Sequence, residues 1–183
     1  YCYNKNGNRS LINDTIFNEF SKDKDIDENH RIIARLPILT YWTTNYDSLI
    51  EDALNDAKRI VDVKYSNKHL SLTKPHRDAI VYKMHGDKSN PDEAILIKDD
   101  YEQYYKKHAQ FITALSGDLI SKTFLFVGFS FSDPNIDYIL SRIMAVRITD
   151  SIMRLCGKLE RMIILITQIM SMRSESMICL SKI

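Results

Sequence analysis

Three short stretches of the chain carry side chains whose types and spacing suit chemistry: Thr43-Thr44-Asn45-Tyr46-Asp47, His85-Gly86-Asp87 and Gly128-Phe129-Ser130-Phe131-Ser132-Asp133. An imidazole exchanges its proton near neutral pH, which makes His85 a candidate general base. A carboxamide offers a donor and an acceptor without a charge, so Asn45 can hold a water and a hydroxyl at once. Each stretch also has a plain structural reading. Asp47 suits a helix cap, His85 a hydrogen-bonded turn, Gly128 close strand packing, and Ser132-Asp133-Pro134 a helix start with Pro in its first turn. Their shared placement shifts the balance, because all three follow segments that read as strands.

The elements that must position them alternate in kind. Leu11, Ile12, Ile16, Phe17 and Phe20 recur at helical spacing, Lys22 to Glu28 is a charged connector, and a second helix over Glu28 to Leu36 is stopped by Pro37. Ile38 to Thr44 is β-branched and aromatic over a strand's length, and Asn45 to Leu54 returns to helical spacing. Ala79 to Met84 reads as a second strand and Ala94 to Ile97 as a third. Lys98-Asp99-Asp100 then opens one long helix bearing Tyr101, Tyr104, Tyr105, His108 and Phe111. Thr123 to Phe129 is a continuous apolar run, as expected of a strand buried on both faces. Strands alternating with helices predict an α/β fold, a Rossmann-like, mostly parallel sheet flanked by helices, in which ligands sit beyond the carboxyl ends of the strands.

WTTNYDSLIEDAL, then KMHGD, then FLFVGFSFSDPNIDYIL, in that order, resembles the sirtuin-like NAD-binding domains of bacterial NAD-depleting defence proteins. The resemblance runs from about Leu11 to about Arg142. It implies that Asn45 contacts the nicotinamide ribose within a T-x-N-x-D motif, with Thr44 and Asp47 beside it. By the same resemblance His85 acts on a ribose hydroxyl as base, and Gly128 and Ser130 lie near the adenosine ribose and phosphates. The implied activity is NAD hydrolysis releasing nicotinamide and ADP-ribose, with NAD as substrate, in an antiphage-defence effector whose parent carries a sensor or homo-oligomerising region. Breaking the nicotinamide glycosidic bond builds positive charge on the ribose, and these residue types suit it: uncharged oxygens nearby and a base to take a proton.

The sequence departs from the family in three places. Protein-deacylating sirtuins carry two CxxC pairs after the His-Gly, whereas Asp87 to Phe111 contains no cysteine, which implies a zinc-free site with no metal ligands and favours water or ADP-ribose itself as acceptor. The Gly-rich phosphate loop that opens the family's fold is not found before Ile38. The fold is therefore expected to be incomplete, its first strand and Gly-rich loop upstream of Tyr1 or lost, and NAD binding by these residues alone to be weak. An inactive module binding NAD or ADP-ribose, and a zinc-free deacylase or ADP-ribosyltransferase, are the rival readings.

The third departure divides the chain into a partial sirtuin-like domain over 1–143 and an atypical segment over 144–183. All ten Tyr, all seven Phe and the single Trp precede residue 139, while six of the seven Met follow it. Two readings stand level: an Ile/Met-rich helix packed on the sheet or on a partner, or a shifted reading frame near Ile143.

Composition bounds the rest. With 183 residues, 44% of them hydrophobic, the chain can bury one sizeable core. A net charge of +1 supplies no field for capturing nucleic acid or anionic membrane, so the Tyr101 to Lys107 segment reads as a solvated helix face. Three scattered cysteines spell neither a disulfide framework nor a zinc site and fit a reducing cytoplasm. The longest apolar stretch, 162–172, is short of the roughly 20 residues of a membrane span.

Overall fold

A computed structural model describes residues 25–128 and 138–141, the backbone of 162–166, and isolated helical positions at 14 and 18. The elements are α1 (Glu28–Arg35), β1 (Thr40–Thr43), α2 (Leu49–Asp56), β2 (Val61–Lys64), α3 (Asn67–Ser71), β3 (Ala79–Lys83), a 3₁₀ turn (Pro91–Glu93), α4 (Lys98–Lys107), α5 (Ala109–Ser121), β4 (Thr123–Val127) and β5 (Met162–Ile166). The five strands form one sheet in the order β2-β3-β1-β5-β4, and every pairing is parallel. The expected α/β architecture with helices flanking a parallel sheet is therefore present.

Both faces of β1 and β3 are covered, as a parallel sheet requires, whereas β4, expected from its apolar run to be buried on both faces, is an edge strand with Leu125 exposed. Along β1 and β3 alternate residues enter different apolar clusters: Tyr41 and Val81 pack with Ala34, Ile50, Ala53 and Leu54 of α1 and α2, while Trp42 and Tyr82 pack with Tyr104, Phe111, Leu115 and Leu119 of α4 and α5. That alternation is the two-residue period of a strand. Burial of each large side chain among these contributes about 1.5–3 kcal/mol. Trp42 is stacked on Tyr82 at 4.1 Å, and its indole N–H donates to Asp118 at 3.0 Å, which ties β1 to α5.

Local chemistry sets the boundaries. Asp27 caps α1 by accepting from the His30 backbone N–H at 2.9 Å, and the helix stops before Pro37, whose ring disfavours a helical residue ahead of it. Arg59 then holds the link into β1, donating to the Ala34 and Leu36 carbonyls at 3.3 Å and to the Tyr41 hydroxyl at 3.0 Å.

Two sequence expectations are corrected here, and two strands appear that the sequence reading does not place. Ala94 to Ile97 is not a strand: the Ile95 N–H bonds the His85 carbonyl at 2.9 Å, and the Leu96 and Ile97 N–H groups are taken by the Asp100 carboxylate. The long helix is two, broken at His108. β2 was not expected, since its Val61-Asp62-Val63-Lys64 sequence is half charged; Asp62 and Lys64 neutralise each other at 2.8 Å, and Arg77 joins them. Within the segment for which an Ile/Met-rich helix and a shifted reading frame stand level by sequence, Met162–Ile166 is a strand lying between β1 and β4. Its run of apolar, mostly β-branched residues is the composition of a strand buried in the middle of a parallel sheet.

Candidate functional site at the carboxyl edge of the sheet

Register aligns the strand ends in one row. Thr43 pairs with Lys83 on one side and with Ile166 on the other, and Ile166 pairs in turn with Val127. Asn45 and His85 each stand two residues past this row on neighbouring strands, and the Met84 N–H continues the ladder to the Thr43 carbonyl at 2.9 Å. Gly128 stands one residue past it at the end of β4. The convergence of three strand ends expected from sequence is thus present for Asn45, His85 and Gly128; Ser130 and the Asp133-Pro134 helix start lie outside the described residues.

Thr43 and Thr44 are buried, and the Thr43 hydroxyl accepts from the Asn45 N–H at 3.0 Å. The Asn45 side-chain oxygen is buried with no hydrogen-bond partner among the described residues. A buried carboxamide oxygen left so costs about 1–3 kcal/mol, which marks it as an acceptor available to a bound molecule. Asp47 accepts from the Leu49 N–H at 3.2 Å, so its carboxylate supports the start of α2.

His85 is 4% exposed and meets Tyr101 and Tyr104 edge-to-face at 5.5 and 6.4 Å. Tyr104, fully buried, donates its hydroxyl to the Met84 carbonyl at 3.0 Å, immediately before His85. The Tyr46 hydroxyl donates to the Ile95 carbonyl at 2.5 Å, linking the Asn45 loop to the segment bonded to His85. Gly86 takes φ +95°, a left-handed conformation open to glycine, and a Cβ there would stand 3.1 Å from Ala94 Cα.

Lys83 is the residue that sequence reading passed over. It is fully buried; its ammonium lies 2.9 Å from Glu51 and also pairs with Asp87. It donates as well to the Tyr46 and Asp47 carbonyls at 3.2 and 2.6 Å. The signal was a lone charge in the apolar alternation AIVYKM, followed four residues on by an acid. A cleft of about 360 Å³ opens beyond β2 and β3, lined by Asn67, Ala94, Ile95 and His108 among others, and contains neither Asn45 nor His85. Burial keeps the His108 imidazole below its ordinary pKa. Among the described residues no helix is long and apolar enough to cross a membrane.

The parallel α/β sheet, with Asn45 and His85 following two of its strands, is the frame of the class to which the sequence points: the pattern of the SIR2-like domain matches residues 39–154. The chain belongs to that family. The match covers every candidate residue and runs past the boundary drawn at 143. The chain is 64% identical over 143 residues to the NAD(+) hydrolase ThsA of Bacillus cereus (strain MSX-D12), an alignment spanning 78% of this chain and 30% of the relative. It is 57% identical over 143 residues to the protein of the same name from Acinetobacter baumannii (strain 532279), again 78% and 30%. With that from Enterococcus faecium it shares 48% over 145 residues, also 78% and 30%. The chain therefore spans about 30% of the length of these relatives.

Proposed function

We propose that this chain supplies the NAD-cleaving site of an NAD glycohydrolase that acts as an antiphage-defence effector. What supports the reading is the parallel pairing of Thr43 with Lys83, two residues before Asn45 and His85 on neighbouring strands, together with relatives that are NAD(+) hydrolases by name. In the reaction the bond between the ribose C1′ and the nicotinamide nitrogen breaks, and its electron pair leaves with nicotinamide. Water oxygen bonds C1′ and loses a proton, giving ADP-ribose. Asn45 holds the ribose and the incoming water through its amide, and His85 takes the proton through a ribose hydroxyl or directly. Thr44 and Asp47 serve the nicotinamide end, while Gly128 and Ser130 serve the adenosine ribose and phosphates. Water is the acceptor, no zinc takes part, and the protein acts in the cytoplasm, with a sensor or homo-oligomer contact governing activity in the intact protein.

Incubation of the intact protein with NAD alone, followed by chromatography, tests this reading. Nicotinamide and linear ADP-ribose should appear in equal amounts with no added acceptor. Nicotinamide release that depends on an acyl-lysine peptide or a protein acceptor would replace hydrolysis by deacylation or ADP-ribosyl transfer, and NAD binding without turnover would make this a sensor.

A further inference from the structure

Lys83 is the last residue of β3, with none of its surface exposed. An ammonium has three donors, and here four acceptors surround it: the Tyr46 and Asp47 carbonyls, Glu51 and Asp87. These belong to the loop after β1, to α2 and to the turn after β3. Asn45 directly precedes Tyr46 in the loop, and His85 lies two residues before Asp87 in the turn. One side chain thus joins the segments that carry the two candidate site residues.

Stability alone does not call for this arrangement. Apolar residues of similar size commonly replace a buried ion pair without loss, whereas an ammonium imposes direction on each oxygen it meets. Asp87 is itself fixed from its other oxygen by the Ser89 N–H at 2.9 Å, so the turn is held on both sides of Lys83's grip. The loop end at Asp47 is fixed independently by its side chain at the start of α2. What remains for Lys83 is the distance between loop and turn, which it sets together with the Lys88 N–H, a donor to the same Tyr46 carbonyl at 3.0 Å.

We propose that Lys83 is a positioning residue for NAD cleavage, clamping the Asn45 loop to the His85 turn through Tyr46, Asp47, Glu51 and Asp87. The role rests on the NAD-hydrolase reading, since it concerns the geometry of that reaction. Misplacement of reacting groups by about 1 Å costs on the order of a hundredfold in rate.

The test uses the intact protein carrying Lys83→Met, which keeps the side chain's length and removes its donors, and Asp87→Asn, which keeps shape and removes one charge. NAD kcat and KM, melting temperature and amide hydrogen exchange are measured on each. Lys83→Met should lower kcat about a hundredfold with KM within about threefold of wild type. Exchange over 45–49 and 85–89 should speed up while the exchange of β1 and β3 stays as in wild type. Asp87→Asn should follow in the same direction by about tenfold, and it decides the matter if Lys83→Met does not fold. A folded variant with wild-type kcat, or with unchanged exchange in both segments, overturns the proposal. A wild type that releases no nicotinamide removes the reaction reading and with it this role, whereas the exchange comparison separately shows whether the clamp exists.

Discussion

The Lys83 ammonium stands 2.9 Å from the Glu51 carboxylate while also pairing with Asp87, and the two acids it serves are driven in opposite directions. Burial pushes Glu51 above the usual carboxylate range, more than attraction to Lys83 pulls it back, and the charge on Asp87 adds to the rise. Burial acts on Asp87 in the same sense, but Lys83 and the Ser89 hydrogen bonds outweigh it and hold that carboxyl low. Lys83 loses to burial and gains more from the two acids, so it stays protonated.

The pH dependence follows from those directions. Asp87, depressed in the folded state, contributes stability that is present above its unfolded value of about 3.9 and is lost as pH falls through the folded value. Glu51, raised in the folded state, contributes stability present below its unfolded value of about 4.3 and lost as pH rises through the folded value. Asp87→Asn should therefore flatten the acid limb of a urea-unfolding series from pH 3 to 7, and at pH 7 it should cost more stability than Glu51→Gln. An equal or larger cost for Glu51→Gln would reverse the assignment of charge between the two acids.

Gly86→Ala should destabilise the fold by about 1–3 kcal/mol, because alanine resists the left-handed backbone there and its Cβ would press on Ala94 Cα at 3.1 Å. The segment it displaces is the one whose Ile95 N–H bonds the His85 carbonyl, so turnover should fall as well. Denaturant unfolding that matches wild type to within about 0.5 kcal/mol would show that the turn adapts freely.

Tyr104→Phe removes one oxygen and leaves the Met84 carbonyl without that donor. A loss of about 1–2 kcal/mol is expected, with a fall in NAD turnover because the bond lies directly before His85. Retained activity at lowered stability would confine Tyr104 to packing.

Trp42 is the chain's single tryptophan and is fully buried, so its fluorescence reports on the core where β1 meets α5. Asp118→Ala leaves the indole N–H without the acceptor now 3.0 Å away and should cost about 1–3 kcal/mol. The transition followed by fluorescence should move to lower urea. An unmoved midpoint would mean that another group takes over as acceptor.

Much of this layout was legible in the sequence, and the misses have physical causes. Runs such as ILTYWTT and AIVYKM declare strands because their neighbours on both faces are apolar. The row of strand ends then follows from the parallel order, which brings Asn45, His85 and Gly128 to one edge. β2 stayed hidden because its two charges cancel each other in space, and a pattern of apolar residues records no such pairing. The stretch from Ala94 to Ile97 has the composition of a strand but spends its N–H groups on His85 and Asp100. Met162–Ile166 escaped notice because five residues are too few to separate strand from helix by period alone. Lys83 escaped for another reason: its meaning lies in four acceptors, three of them more than thirty positions away in the chain.

Nicotinamide release from NAD by the intact wild-type protein, set against Asn45→Ala and His85→Ala at matched folded concentration, decides whether NAD is cleaved at the ends of β1 and β3. Hydrolysis in the wild type with a loss of at least about a hundredfold in each variant is the predicted result. Full activity in both variants would contradict the placement of the reaction at the ends of β1 and β3.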